Sequence, residues 1–313
     1  MSKLLRRLGV VLLGLAVLLG GFVAWAWAPD IPVDALKARW APPPSQFVEI
    51  DGLQVHVRDE GPRDDPLPLV LVHGTGASLH TWDGWAAGLR ATRRVIRFDL
   101  PGFGLTGPNP GHDYRMDEYV RVTVALLERL GVTRFVIGGN SLGGEVAWAT
   151  AHAHPQRVAR LILVDAAGYR FATDGLPIGF VIAGTPLLRD AMRYLLPPGT
   201  VEGSVRSVYG DPSRVTPELV ALYTDMARRA GNREALGHRL AVHFTGREDA
   251  IRELKLPTLI LWGAQDRLIP SEYGQRFARD IAGARLVVFP QLGHVPQEED
   301  PAATLAVVSE FIQ

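Results

Sequence analysis

The ten residues Phe135-Val136-Ile137-Gly138-Gly139-Asn140-Ser141-Leu142-Gly143-Gly144 constrain this chain more than any other segment. An apolar strand run leads into a glycine-rich turn, and a helical pattern over Leu142–His152 follows without a spacer. A strand that passes straight into a helix needs turn residues without Cβ atoms, so that the helix can lie close against the strand. Within the run, Gly139-Asn140-Ser141-Leu142-Gly143 has G-x-S-x-G spacing. That spacing stands a serine out from the turn at a helix N-terminus, where the dipole favours developing negative charge. G-x-S-x-G alone is a common glycine–serine turn. The strand before it and the helix after it favour a nucleophile at Ser141.

The rest of the chain supplies the sheet that such a turn requires. Phe47–Ile50 and Gln54–Arg58 read as a hairpin turned at Asp51-Gly52. Apolar runs follow at Leu69–Val72, Val95–Phe98, Phe135–Ile137, Leu161–Val164, Leu259–Leu261 and Leu286–Phe289. Near-continuous Val/Ile/Leu runs suit strands buried on both faces of a parallel sheet. Helical patterns at Met116–Leu130, Leu142–His152, Glu272–Ile281 and Ala302–Phe311 fall between them, which predicts a doubly wound α/β domain. From Asp165 to Pro257 the strand rhythm stops, and Leu176–Leu196 and Pro217–Phe244 read as helices broken by Gly and Pro. An insertion of that size predicts a helical cap, at about residues 170–250, over the C-terminal edge of the sheet.

His294 sits in Leu292-Gly293-His294-Val295-Pro296, a loop just after the last strand run, where catalytic loops gather in open α/β sheets. It comes third in a Ser…Asp…His chain order and is the expected general base. Asp266, in the loop after Leu259–Gly263, is the expected acid that orients the histidine, with Asp165 in reserve. Its bland reading is a turn aspartate paired with Arg267. Glu298, Glu299 and Asp300 follow His294 too closely and read as a helix N-terminus. The backbone N–H groups of Leu142 and Thr75, the latter in His73-Gly74-Thr75-Gly76, are the expected oxyanion donors. His73 is read as structural, Trp148 as packing and Glu145 as surface. His152, His154, His238 and His243 form no convincing ligand set, and there is no dinucleotide fingerprint or phosphate loop, so neither metal nor cofactor is expected.

His73-Gly74, Asp99-Leu100-Pro101-Gly102-Phe103-Gly104, Gly139–Gly143, Gly263-Ala264-Gln265-Asp266 and Gly293-His294, in that order, resemble the α/β-hydrolase superfamily over about residues 47–313. The resemblance implies the α/β-hydrolase fold: a mostly parallel eight-stranded sheet, helices on both faces, and a helical cap after the sixth strand. It makes the Asp99 segment a structural turn near the site. The elbow with Gly144 is also similar to that of hydrolases that split carbon–carbon bonds in aromatic ring-fission products. Val295 follows the histidine where that subfamily usually has Trp. Serine at the elbow argues against haloalkane dehalogenases and epoxide hydrolases, which place Asp there.

The N-terminus has a different character. Leu8–Ala28 carries no charged residue, follows Lys3, Arg6 and Arg7, and ends at Trp25 and Trp27. As a helix it would be about 31 Å long, close to a bilayer's hydrocarbon thickness. Residues 1–28 are therefore expected as a membrane anchor with the catalytic domain outside the cytoplasm. A signal peptide cut at Ala26-Trp27-Ala28, leaving a secreted or periplasmic protein, is the alternative. Residues 29–46, ending in Pro42-Pro43-Pro44, read as a stiff linker. Lys plus Arg and Asp plus Glu are 33 each, which offers no nucleic-acid surface. With no cysteine, disulfides and thiolate chemistry are excluded.

The expected substrate is a small carboxylic ester with an apolar acyl or alcohol part, because the cap interval holds Ile178, Phe180, Val181, Ile182, Leu187, Leu188, Leu195 and Leu196. The alternative is carbon–carbon cleavage of a vinylogous diketone. A catalytically silent ligand receptor on the same fold is the reading from another class.

Overall fold

The computed structural model describes residues 3–170, 177–185, 193–242 and 247–313. One sheet runs in the order β1-β2-β4-β3-β5-β6-β7-β8. Its strands are β1 (Ser45–Ile50), β2 (Leu53–Glu60), β3 (Leu69–Val72), β4 (Val95–Phe98), β5 (Phe135–Asn140), β6 (Val158–Val164), β7 (Thr258–Gly263) and β8 (Arg285–Phe289). β1 and β2 pair antiparallel with Ile50 opposite Leu53, β2 adds antiparallel to β4, and every other pair is parallel. Asp51 and Gly52 turn the hairpin with φ of 49° and 85°, the positive values a tight two-residue loop requires.

Side-chain alternation divides the core into two layers. Leu69 and Leu71 point to one face, with Val136, Ile162, Leu259 and Leu261; Val70 and Val72 point to the other, with Ile137, Leu163 and Ile260. In chain order, α1 (Lys3–Ala26) and α2 (Val33–Trp40) precede the sheet, and α3 (Asp83–Leu89), α4 (Met116–Arg129) and α5 (Leu142–Ala153) connect its central strands. The insertion between β6 and β7 contributes α6 (Ile178–Gly184), α7 (Thr200–Val208), α8 (Pro217–Arg228), α9 (Asn232–Ala241) and α10 (Glu248–Arg252). α11 (Glu272–Asp280), α12 (Pro296–Glu299) and α13 (Pro301–Phe311) complete the chain. α3 and α13 cover the Leu69 face through Trp85 and Val308, with Trp82 and Ile312 flanking them, while α4, α5 and α11 cover the Val70 face. Strand order reverses at β3, between β4 and β5. The loops leaving β3 and β5 therefore diverge and open a crevice at the sheet's C-terminal edge, where ligands bind in open α/β sheets.

One expectation changes here. The stretch after Ala28 is not an extended stalk. Its α2 docks Leu36 and Trp40 against Leu105, Leu222 and Met226, and the Trp40 indole N–H donates to Asp225. Leu187, Leu188 and His243, named above, lie outside the described residues. Within α1, Leu5–Ala26 is long and apolar enough to cross a membrane, and nearly all of its side chains are exposed.

The turn after β4 is held by Asp99, fully buried. Its carboxylate accepts the backbone N–H groups of Leu79 and Leu105, each at 2.7 Å, and pairs with His56 Nδ1 at 2.7 Å. Burial alone would raise this carboxyl, yet His56 and its other neighbours hold it well below the usual range. Asp99→Asn would turn an NH2 toward one of those donors and should cost about 3 kcal/mol in urea unfolding. Because the folded value is depressed, the wild type's advantage should be complete above the ordinary carboxylate range. It should fade progressively as pH falls below that range toward the depressed folded value, and be gone beneath it.

Candidate active site

Ser141 joins β5 to α5 with φ 55° and ψ −119°, a left-handed conformation strained for any residue but glycine. Its neighbours have no room for side chains. A Cβ on Gly139 would sit 2.0 Å from the Gly143 carbonyl oxygen, and one on Gly143 would sit 2.1 Å from that of Val72. The glycines thus let α5 ride directly on β5 and β3. Leu142 opens α5, so its N–H belongs to the first turn, which has no intrahelical acceptor.

His294 Nδ1 donates to Asp266 Oδ2 at 2.7 Å, and both side chains are buried. Asp266 Oδ1 is fixed in turn by the N–H groups of Leu268 and Ile269, at 2.8 and 2.9 Å. With Nδ1 committed, Nε2 is the nitrogen left to accept a proton. Asp165 also approaches this pair: one side-chain atom from each of Asp165, Asp266 and His294 lies within 4.8 Å of the others. Such a trio could in principle ligate an ion, but Asp266 and His294 are already bonded to each other. Burial and the adjacent Asp266 charge push the Asp165 carboxyl well above its usual value. One oxygen accepts from the Gly263 N–H at 2.9 Å. Asp165 is thus a neighbour that resists ionisation, and Asp266 is the carboxyl bonded to the imidazole.

Ser141, His294, Thr75 and Leu142 line one cavity of about 440 Å³. Gly74 packs tightly behind the serine, its Cβ position 3.1 Å from Ser141 Cβ, which brings the Thr75 loop to the elbow. His73 lies behind that loop, its Nδ1 2.7 Å from the Gly74 carbonyl and its Nε2 accepting the Leu100 N–H at 2.9 Å. Burial pushes its pKa down, so it is a neutral strut. The insertion supplies the far wall with Phe180, Leu196, Val201, Val205, Met226 and Leu240.

Sequence reading missed three contributors. Asn140 donates to the carbonyls of His294 (2.8 Å) and Val164 (3.1 Å), tying the elbow to the histidine loop. Glu299 accepts the Gly293 and Gly210 N–H groups at 2.6 and 2.9 Å, tying that loop to the insertion. Asp300 instead caps α13, as a helix-start reading expects. Glu145, expected at the surface, is buried and lines the cavity, with an oxygen 3.9 Å from Arg239. Burial raises its carboxyl pKa. α5 is covered by the insertion as well as the sheet, so its helical period could not betray that face. Trp148 is core, as expected, its indole N–H donating to the Ala167 carbonyl.

Residues 68–301 match the family model described as alpha/beta hydrolase fold. The chain belongs to the α/β-hydrolase family. This α/β hydrolase is 32% identical over 279 residues to the 2-hydroxy-6-oxo-2,4-heptadienoate hydrolase of Pseudomonas putida strain F1, covering 85% of this chain and 95% of that one. It is 31% identical to the 2-hydroxymuconate semialdehyde hydrolase of Pseudomonas sp. strain CF600, covering 83% and 91%. Among solved structures, the meta-cleavage product hydrolase CumD of Pseudomonas fluorescens IP01 superposes on this α/β hydrolase with a TM-score of 0.72. There the identity is 28%, over 85% of this chain and 97% of that one.

Proposed function

We propose that this α/β hydrolase cleaves a carbon–carbon bond beside a ketone in a vinylogous diketone. The single observation that carries the reading is its similarity, over nearly their full lengths, to two hydrolases named for such 6-oxo-dienoate and semialdehyde substrates. In the proposed reaction Ser141 Oγ adds to the keto carbonyl carbon while His294 Nε2 takes its proton. The N–H groups of Leu142 and Thr75 hold the oxyanion. Collapse breaks the carbon–carbon bond, and its electron pair passes into the conjugated system as a dienolate, which the imidazolium protonates. Water, deprotonated by His294, then releases the acyl group from Ser141 as a carboxylic acid.

Ester hydrolysis through the same steps, with an alkoxide leaving in place of the dienolate, is the second reading. The observation favouring it is the apolar wall of Phe180, Leu196, Val201, Val205 and Leu240, together with Val295 after the histidine. Initial rates on a panel of ring-fission diketones and p-nitrophenyl esters of rising acyl length separate the two. The first reading expects kcat/KM for a diketone to exceed that for every ester. An ester series that climbs several-fold per carbon, as about 0.8 kcal/mol per methylene would give, with no diketone turnover, overturns it.

We also infer that α1 holds the domain at a membrane, outside the cytoplasm. The segment just past α1 supports retention over cleavage. Leu196 N–H donates to the Ala26 carbonyl, Ala28 N–H to that of Tyr194, and Ile31 N–H to that of Arg228. A cut at Ala28 would remove the first two of these bonds. An intact N-terminus in the membrane fraction is the expected result; a mature protein beginning near Pro29 contradicts it.

A further inference from the structure

The end of α1 is fixed to the cavity wall. Leu196 N–H donates to the Ala26 carbonyl at 2.8 Å and Ala28 N–H to the Tyr194 carbonyl at 2.9 Å. The Trp27 and Tyr194 rings stack, with centroids 5.9 Å apart and planes 6° apart. Leu196 and Thr200 line the cavity, and α6 lies against the same α7 terminus: the Cβ position of Gly179 is 3.4 Å from Ser204 Oγ and 3.9 Å from Thr200 Cγ2. Pro177, Gly179 and Phe180 therefore form the inside of a wall whose outside carries Ile178 and Val181. These two are 56% and 47% exposed, and Tyr194, Trp25 and Trp27 at the end of α1 are 53%, 57% and 55% exposed. Among the described residues beyond Trp27, the only other large apolar side chain so open is Val288, on the edge strand β8. The chain thus leaves its large apolar side chains open beside the end of the helix that reads as an anchor.

We propose that α6 and Tyr194 sit in the interfacial layer of the bilayer that α1 spans, so that the cavity wall is presented to lipid and apolar substrate enters from the membrane. This rests on the anchor reading above. Trp and Tyr favour the headgroup level, and an apolar helix face gains by sinking a few ångströms below it. Two backbone hydrogen bonds hold Tyr194 and Leu196 at the point where α1 would leave the bilayer, and α6 packs on the α7 turn that follows them, so occupant and depth follow from the same wall.

Because the chain has no cysteine, single labelling sites are clean. Ile178→Cys, Val181→Cys, Leu13→Cys and Asp249→Cys are each labelled with an environment-sensitive fluorophore. The full chain is then reconstituted into phosphatidylcholine/phosphatidylglycerol vesicles carrying a nitroxide lipid. Asp249, with a side chain 91% exposed on α10, is the aqueous reference. The expected result is quenching by nitroxide lipid at positions 13, 178 and 181 and none at 249. Quenching at 13 alone overturns the proposal while leaving the anchor in place. No quenching at 13 removes the anchor reading, and this one with it. Shielding at 178 and 181 that ignores the nitroxide lipid but grows with protein density would assign the face to a second copy of the chain and overturn the proposal. Ile178→Glu, at a position that does not line the cavity, should also lower turnover of vesicle-embedded substrate by roughly tenfold. It should leave turnover of a short water-soluble substrate unchanged. Equal rates on both substrates would count against entry from lipid.

Discussion

Ser141→Ala should lower kcat by about three or more orders of magnitude while leaving KM and the unfolding transition close to wild type. The size follows from the proposed chemistry: without Oγ no acyl-enzyme forms, and the residual rate comes from binding and the oxyanion donors alone. Stability should hold because the substitution removes one oxygen from a side chain that borders the cavity. The backbone strain at φ 55° is common to Ser and Ala. Single-turnover kinetics with urea unfolding of the same preparation read both quantities. Full activity in the variant would remove Ser141 from the chemistry.

Asp266→Asn should cost about three to four orders of magnitude in kcat. The carboxylate is held by the Leu268 and Ile269 N–H groups on one oxygen and by His294 Nδ1 on the other. An amide in its place turns an N–H toward Nδ1 and favours the wrong imidazole tautomer. Asp165→Asn gives the contrast. Burial and the adjacent Asp266 already push the Asp165 carboxyl well above its usual value, so an uncharged amide replaces an acid that resists ionisation, and kcat should fall by less than about tenfold. The pair of variants discriminates between two buried aspartates that both follow strands. A crippled Asp165→Asn beside a nearly normal Asp266→Asn would reverse the assignment.

What could be read ahead of the structure divides along a physical line. The central strands were visible because strands buried on both faces must be apolar almost without interruption, as the fully buried Leu69–Val72 is. The elbow was visible because a Cβ on Gly139 or Gly143 would fall about 2 Å from backbone, which leaves room only for glycine. Asp266 and His294 were visible through their order and loops. Their 2.7 Å contact bridges 28 residues and was open to inference only through the fold. Features set by contacts between distant segments stayed hidden. α2 lies between prolines that suggest an extended stalk, and its packing partners Leu222 and Met226 are nearly two hundred residues away. Glu145 is buried by the insertion, whose path over α5 no local pattern records. Asn140 looked like a spacer within the G-x-S-x-G run, yet its amide carries the bond that joins the serine turn to the histidine loop.

The most direct test of the central claim, that Ser141 is an activated nucleophile served by His294 and Asp266, is fluorophosphonate labelling of the full chain with the adduct mapped by peptide mass spectrometry. The account predicts one adduct, on Ser141, formed in step with loss of hydrolytic activity. It also predicts strongly slowed labelling in His294→Ala, where the proton acceptor is gone. An adduct on another residue, or activity that survives complete modification of Ser141, would contradict it.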